Sequence, residues 1–154
     1  MLREVQSTVK EPLVKSAMSP FPYSVTAEAP IALARQMMSE HRVRHLPVTR
    51  DGALWGIVTD RDIKRLLGSE VQPSLASELG EGLTVADVCV DDCYTVDLNT
   101  PLWVVLETMA ERHIGAALVT GHGRLAGIFT TTDACRVFAE HLKRQLGHGD
   151  GPDT

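Results

Sequence analysis

The chain has 154 residues, enough to bury a substantial core, and its 44% hydrophobic and 23% charged residues exclude a polypeptide dominated by disorder. Fifteen Lys and Arg against 20 Asp and Glu leave a formal net charge of −5, which excludes a generally nucleic-acid-binding surface, since neutralising phosphates needs a clustered excess of cations. The three cysteines, Cys89, Cys93 and Cys135, lack the paired spacing of a disulfide framework or a structural zinc site, and no apolar run approaches the roughly 18 residues of a membrane span.

Residues 1–13 form an N-terminal segment that carries Arg3, Glu4 and Lys10 where a secretory leader would be apolar, so a cytoplasmic location is expected. A short helical turn follows at Val14, then a strand stub at Tyr23-Ser24-Val25. Pro30, with its fixed φ and missing N–H, suits the first position of a helix on which Ile31, Ala34 and Met38 recur at helical spacing. The period then becomes that of strands over 43–49 and 53–59, and the Asp51-Gly52 pair between them signals a hairpin. A second helix is predicted from near Thr59, with Gly68 suited to its left-handed cap. Residues 69–83, containing Pro73, Gly80 and Gly82, read as a linker.

The same order of elements returns after the linker. Thr84 and Asp87 have the spacing of a capped turn, Tyr94-Thr95-Val96 is the strand stub, and Pro101 precedes a helix carrying Leu102, Val105 and Met109. Val104 and Leu106 broaden its apolar face. Strands over 114–120 and 125–130 flank Gly121-His122-Gly123, and a helix is predicted from near Thr130. Phe138, Leu142 and Leu146 make an amphipathic extension whose stripe is expected to serve the core ahead of a partner, and 147–154 read as a disordered tail.

The recurrence is a duplication. Shifting the chain by 71 residues aligns 14–65 with 85–136 without a gap, and 15 of the 52 pairs are identical, against about three by chance. The copies occupy 14–68 and 84–139, with 140–154 as a helical extension and tail. Each copy reads as β-α-β-β-α, giving an α+β fold in which neither copy buries both faces of three short strands alone, so the two are expected to pack as one unit.

The repeat resembles the CBS (cystathionine-β-synthase) domain family. The residues that carry the resemblance are Val14-Lys-Ser-Ala-Met18, Met37-Met-Ser-Glu-His41, Val43-Arg-His-Leu-Pro-Val48 and Gly56-Ile-Val-Thr-Asp-Arg-Asp62. The last fits the family's Gly-hydrophobic-x-Thr/Ser-x-x-Asp signature, and Gly127-Ile-Phe-Thr-Thr-Thr-Asp133 fits it again. The resemblance covers 14–138. It implies a Bateman module: tandem repeats related by a pseudo-twofold axis, binding AMP, ADP, ATP or S-adenosylmethionine in clefts between their sheets. It also implies a homodimer forming a four-repeat disc, and regulation or energy sensing on behalf of a partner protein.

The implied ligand gives the motif residues their roles. An ionised carboxylate accepts two hydrogen bonds at once, which suits a ribose diol, and Asp62 and Asp133 are the residues assigned to it. Each stands at the first turn of a helix, where capping explains it as well. Thr59 and Thr130 can turn a hydroxyl to a phosphate or ribose. Gly56 and Gly127 allow close approach of another backbone or serve the hairpins. Adenine needs an apolar slot, for which Val43, Pro47, Ile114, Val25 and Val96 are candidates and also plausible core. Near the motif the first copy holds Arg42, Arg44, His45, Arg61, Lys64 and Arg65. The matching second-copy residues are His113, Gly115, Ala116, Thr132, Cys135 and Arg136. A polyphosphate is better served by the first set, so unequal sites are expected.

Other constellations carry less. His41 and His45 have helical metal spacing, but His45 falls in a predicted strand. Asp91 and Asp92 read as turn residues, and Cys89, which replaces Met18, as core. The expected protein is therefore not an enzyme, requires no cofactor beyond its regulatory adenosyl ligand, and touches no membrane. A structural dimerisation module with vestigial nucleotide sites, and a nucleic-acid-binding protein using the Arg42–Arg65 cluster, are the alternatives.

Overall fold

The computed structural model describes residues 10–67, 82–90 and 93–147. Gly68, most of the linker, Asp91-Asp92 and the tail after Gly147 lie outside these. Two compact units divide the described chain. One, here the Asp62 unit, takes 21–67, 82–90, 93–94 and 122–125, and the other, the Asp133 unit, takes 10–20, 95–121 and 126–147.

The Asp62 unit contains strand β2 (Val25–Thr26), helix α1 (Ile31–His41), strands β3 (His45–Arg50) and β4 (Ala53–Thr59) and helix α2 (Asp60–Leu67), with a 3-10 turn at Val85–Asp87. Its sheet runs β2-β3-β4, with β2 parallel to β3 and β4 antiparallel to it. The parallel pair follows from α1 serving as the crossover between β2 and β3. Ile31, Ala34 and Met38 on α1 and Ile63 and Leu67 on α2 join Leu46, Val48 and Val58 in one buried cluster, as the helical spacing predicted for α1.

The Asp133 unit repeats this with β5 (Thr95–Asp97), α3 (Leu102–Arg112), β6 (Ala116–Gly121), β7 (Arg124–Thr130) and α4 (Thr131–Gln145). A further strand, β1 (Ser19–Pro20), adds to its edge and gives the order β1-β7-β6-β5. Leu102, Val105 and Met109 are buried, together with Leu118, Val119 and Phe129 on the strands.

Three local departures from the sequence reading have physical causes. Pro30 and Pro101 are N-caps, with extended ψ of 149° and 136°, one residue before the first helical position. Their carbonyls still receive the opening bonds, from the N–H groups of Leu33 at 3.0 Å and Val104 at 3.1 Å. Strands β3 and β6 start two residues later than the alternation suggested. The chain first leaves each helix through a left-handed residue, Arg42 at φ 54° and His113 at φ 55°, positions that no glycine marks. The hairpins match their signals: Asp51-Gly52 and His122-Gly123 all have positive φ, as a two-residue turn of the I′ type requires.

The third departure is one of connection. The opening turn of each sequence copy is hydrogen-bonded into the unit of the other. Val14 N–H donates to the Thr100 carbonyl at 2.8 Å, Leu102 N–H to Pro12 at 2.9 Å, and Ser19 pairs with Ile128 in the register of β1 and β7. At the 71-shifted positions, Val85 N–H donates to Ala29 at 2.8 Å, Ile31 N–H to Leu83 at 3.2 Å, and Ile57 and Val90 exchange two bonds of 3.0 and 2.9 Å. Gly127 makes the pairing of β1 with β7 possible. A Cβ there would meet the Met18 sulfur and stand 2.9 Å from the Ser19 carbonyl oxygen.

The stripe expected on the C-terminal extension is not core. Helix α4 runs without interruption to Gln145, and Phe138, Leu142 and Leu146 are 60%, 43% and 70% exposed. Only Asp133 is buried along the whole helix, because α4 outruns the sheet that its first turn rests on.

Candidate functional site

Both Thr-x-x-Asp segments lie where a sheet strand turns into a helix, and both continue to an Arg three residues on: Thr59, Asp62, Arg65 and Thr130, Asp133, Arg136. The local sequence thus dictates the same turn twice. What surrounds each turn differs.

In the Asp133 unit the carboxylate is buried, with 3% of the residue exposed. One oxygen, Oδ2, accepts from the Thr130 N–H at 2.9 Å and from the Thr130 hydroxyl at 3.1 Å, while the Asp133 N–H donates back to that hydroxyl at 3.3 Å. This is a complete capping box. The other oxygen, Oδ1, accepts from Arg136 Nη1 at 2.7 Å and from the Ser19 hydroxyl at 3.3 Å. Both oxygens are engaged, so a ribose diol would have to displace existing partners. Thr130 is consumed by the same box.

In the Asp62 unit only half of that arrangement forms. The Asp62 N–H donates to the Thr59 hydroxyl at 3.0 Å, but among the described residues no bond returns from the Asp62 carboxylate to the Thr59 backbone. Arg65 Nη1 stands 3.8 Å from Oδ1, and the side chain keeps 20% of its surface exposed. The position matching Ser19 is Val90, which has no hydroxyl to offer and pairs with Ile57 through its backbone alone. Asp62 therefore retains the two-fold acceptor capacity that Asp133 has lost.

Basic groups gather at the Asp62 turn. His45 at the start of β3 is paired in register with Thr59. Burial pushes the His45 imidazole below its ordinary value of 6.5; Asp62 opposes this by its charge, and Arg44 and Arg61 add to it. His45, Arg44, Arg61, Thr59 and Asp62 thus form one electrostatic neighbourhood. Arg44 and Arg61 are exposed. Lys64 is taken by Asp60, 3.0 Å away.

The apolar candidates separate. Pro47 is fully buried in β3, opposite Ile57, and Val25 and Val96 are buried on the strand stubs, so all three belong to the core. Val43 is half-buried against the core of the Asp62 unit and reaches a cavity. Ile114 is half-buried in the Asp133 unit, next to the left-handed His113. His41 does not approach a metal arrangement with His45. Its ring stacks on Tyr23, centroids 3.6 Å apart, and no group of three potential metal ligands exists among the described residues.

Sequence reasoning missed Ser19 as a partner of Asp133. The 71-residue alignment sets Ser19 against Val90, which marks the two openings as different, but nothing local says that Ser19 crosses to the other copy's motif.

Known proteins share the two repeats. The profile of the CBS domain family matches residues 14–69 and 85–140. The chain is 33% identical over 113 residues to Hypoxic response protein 1 of Mycobacterium tuberculosis, covering 72% of this chain and 74% of that one. It is 31% identical over 112 residues to the inosine-5'-monophosphate dehydrogenase of Thermoplasma acidophilum, of which it spans 20% of the length. Among solved structures, the CBS domain pair of protein MJ0100 in complex with 5'-methylthioadenosine and S-adenosyl-L-methionine superposes with a TM-score of 0.70 at 26% identity, over 84% of this chain and 98% of that one.

Proposed function

The chain belongs to the CBS domain family, and from that premise we propose that it is a regulatory module which binds an adenosine-containing ligand and passes that binding to a partner protein as a change of conformation. The ligand class is an adenine nucleotide or S-adenosylmethionine. The observation that carries the reading is the Asp62 carboxylate, partly exposed at the first turn of α2, with both oxygens able to accept from a ribose and with Thr59, His45, Arg44 and Arg61 around it. The Asp133 turn, whose carboxylate is already engaged, is the weaker site.

The module acts in the cytoplasm, without catalysis and without a resident cofactor. It works as a homodimer, and the exposed stripe of Phe138, Leu142 and Leu146 is the surface offered to the second copy. The MJ0100 complex, which holds two adenosyl ligands, supports the ligand class.

Thermal shift and calorimetry against AMP, ADP, ATP and S-adenosylmethionine test the proposal. A ligand at a hundred times its Kd should raise Tm by about 5–10 °C. Asp62→Ala should remove that shift, and Asp133→Ala should leave ligand binding at the first site in place after its lower starting stability is allowed for. A chain that gains no stability from any of the four, or one whose response survives Asp62→Ala intact, would overturn it.

A further inference from the structure

At the start of β3 an imidazole and a carboxylate share one neighbourhood, and neither has a hydrogen-bond partner for its side chain. His45 pairs in backbone register with Thr59, and the turn after Thr59 carries Asp62 onto α2. Among the described residues the His45 ring makes no hydrogen bond, although it is half-buried. The Asp62 carboxylate accepts none either: Arg65 stands 3.8 Å from Oδ1, and the capping bond of this turn is donated by the Asp62 N–H. Polar groups withdrawn from water are nearly always paired, so two unpaired ones within reach of each other's charge call for a use.

The surroundings of the ring set the balance between its two forms. Burial disfavours the imidazolium, Asp62 favours it, and Arg44, just before β3, and Arg61 on α2 oppose it. The remaining neighbours shift it little. Strand β2 brings Val25 and Thr26, which carry no charge, α1 ends at His41, whose ring is stacked on Tyr23, and Asp60 is held by Lys64 at 3.0 Å. The second copy supplies a control within the molecule. At the positions of Arg44, His45 and Arg61 it has Gly115, Ala116 and Thr132, none of which titrates, and the same strands and helix form. The fold does not need the imidazole.

We propose that His45 is a proton-operated switch on the Asp62 carboxylate: the neutral ring leaves both oxygens to a ribose, and the imidazolium takes them for itself. This rests on the reading of Asp62 as the ribose acceptor. The proton comes from solvent and gives the ring a second N–H and a positive charge. A charge-assisted bond to a carboxylate is about twice as strong as a neutral one. Ligand and proton then compete for one group, so acidification releases the ligand, and bound ligand by reciprocity expels the proton.

Two measurements on the full chain test it. In a proton NMR titration of the His45 ring without ligand, Asp62→Asn should lower its proton affinity at least about threefold. In calorimetry with adenosine, which has no phosphate to titrate, the wild type should bind at least about threefold more weakly at pH 5 than at pH 7.5. His45→Gln should bind about equally at both. Each protein is checked for a cooperative melt at both pH values. A His45 proton affinity that ignores Asp62→Asn would overturn the switch, as would a pH dependence of adenosine binding that His45→Gln retains. Adenosine that binds at neither pH overturns the ligand reading instead, while a response of His45 to Asp62→Asn shows the pairing itself to be intact.

Discussion

Asp62 and Asp133 occupy the same place in the same seven-residue pattern, and one change of neighbour, Ser19 against Val90, accompanies their different fates. Asp133→Ala removes the return half of a capping box and leaves the half-buried Thr130 N–H without its acceptor. It is expected to cost about 1–3 kcal/mol, read from chemical denaturation. Asp62→Ala, which leaves the Thr59 cap intact, should cost less than about 1 kcal/mol. Equal losses would mean that the two turns are energetically alike. His45 gives a pH dependence. Its folded-state pKa lies below 6.5, so as pH falls through 6.5 the unfolded chain takes up a proton that the folded one refuses. Stability drops until folded His45 also protonates, and above 6.5 this group contributes no pH dependence. His45→Gln should flatten the Tm profile between about pH 7 and pH 5 relative to the wild type.

At the level of elements, β1 and α4 decide most. Gly127→Val places side-chain atoms where Met18 and the Ser19 carbonyl already stand, which should displace β1 from β7. A loss of about 1–3 kcal/mol in the thermal melt is expected. Gly123→Ala, with nothing within 4 Å of its Cβ, isolates the cost of backbone conformation at a φ of 77°, and should be milder. Helix α4 makes the opposite case: its apolar residues are exposed, so replacing them costs the folded monomer little. Phe138→Glu with Leu142→Glu should leave the melt within about 1 kcal/mol while reducing the light-scattering mass of the proposed homodimer to that of a monomer. A variant that stays dimeric would place the interface elsewhere.

For the whole molecule, the exchange of opening segments means that sequence copies and compact units differ. A chain lacking residues 1–20 should lose amide protection in β7 and α3, elements that Ser19 and Pro12 bind, while β3 and β4 stay protected. Uniform loss of protection would show instead that the two units unfold together.

The sequence by itself determined the duplication, the family, the α+β class and every helix and hairpin it predicted within the described residues, because periodicity, Asp-Gly turns and Thr-x-x-Asp caps are local signals repeated at a fixed offset. It could not determine which motif each opening segment joins, since pairing between β1 and β7 is made by backbone groups that any residue possesses. Nor could it show that both oxygens of Asp133 accept hydrogen bonds within the fold while Asp62 has only a 3.8 Å ion pair with Arg65. Whether a carboxylate is a cap or a binding group depends on what arrives beside it. That arrival is an event of the tertiary fold, set by contacts more than a hundred residues apart in the chain.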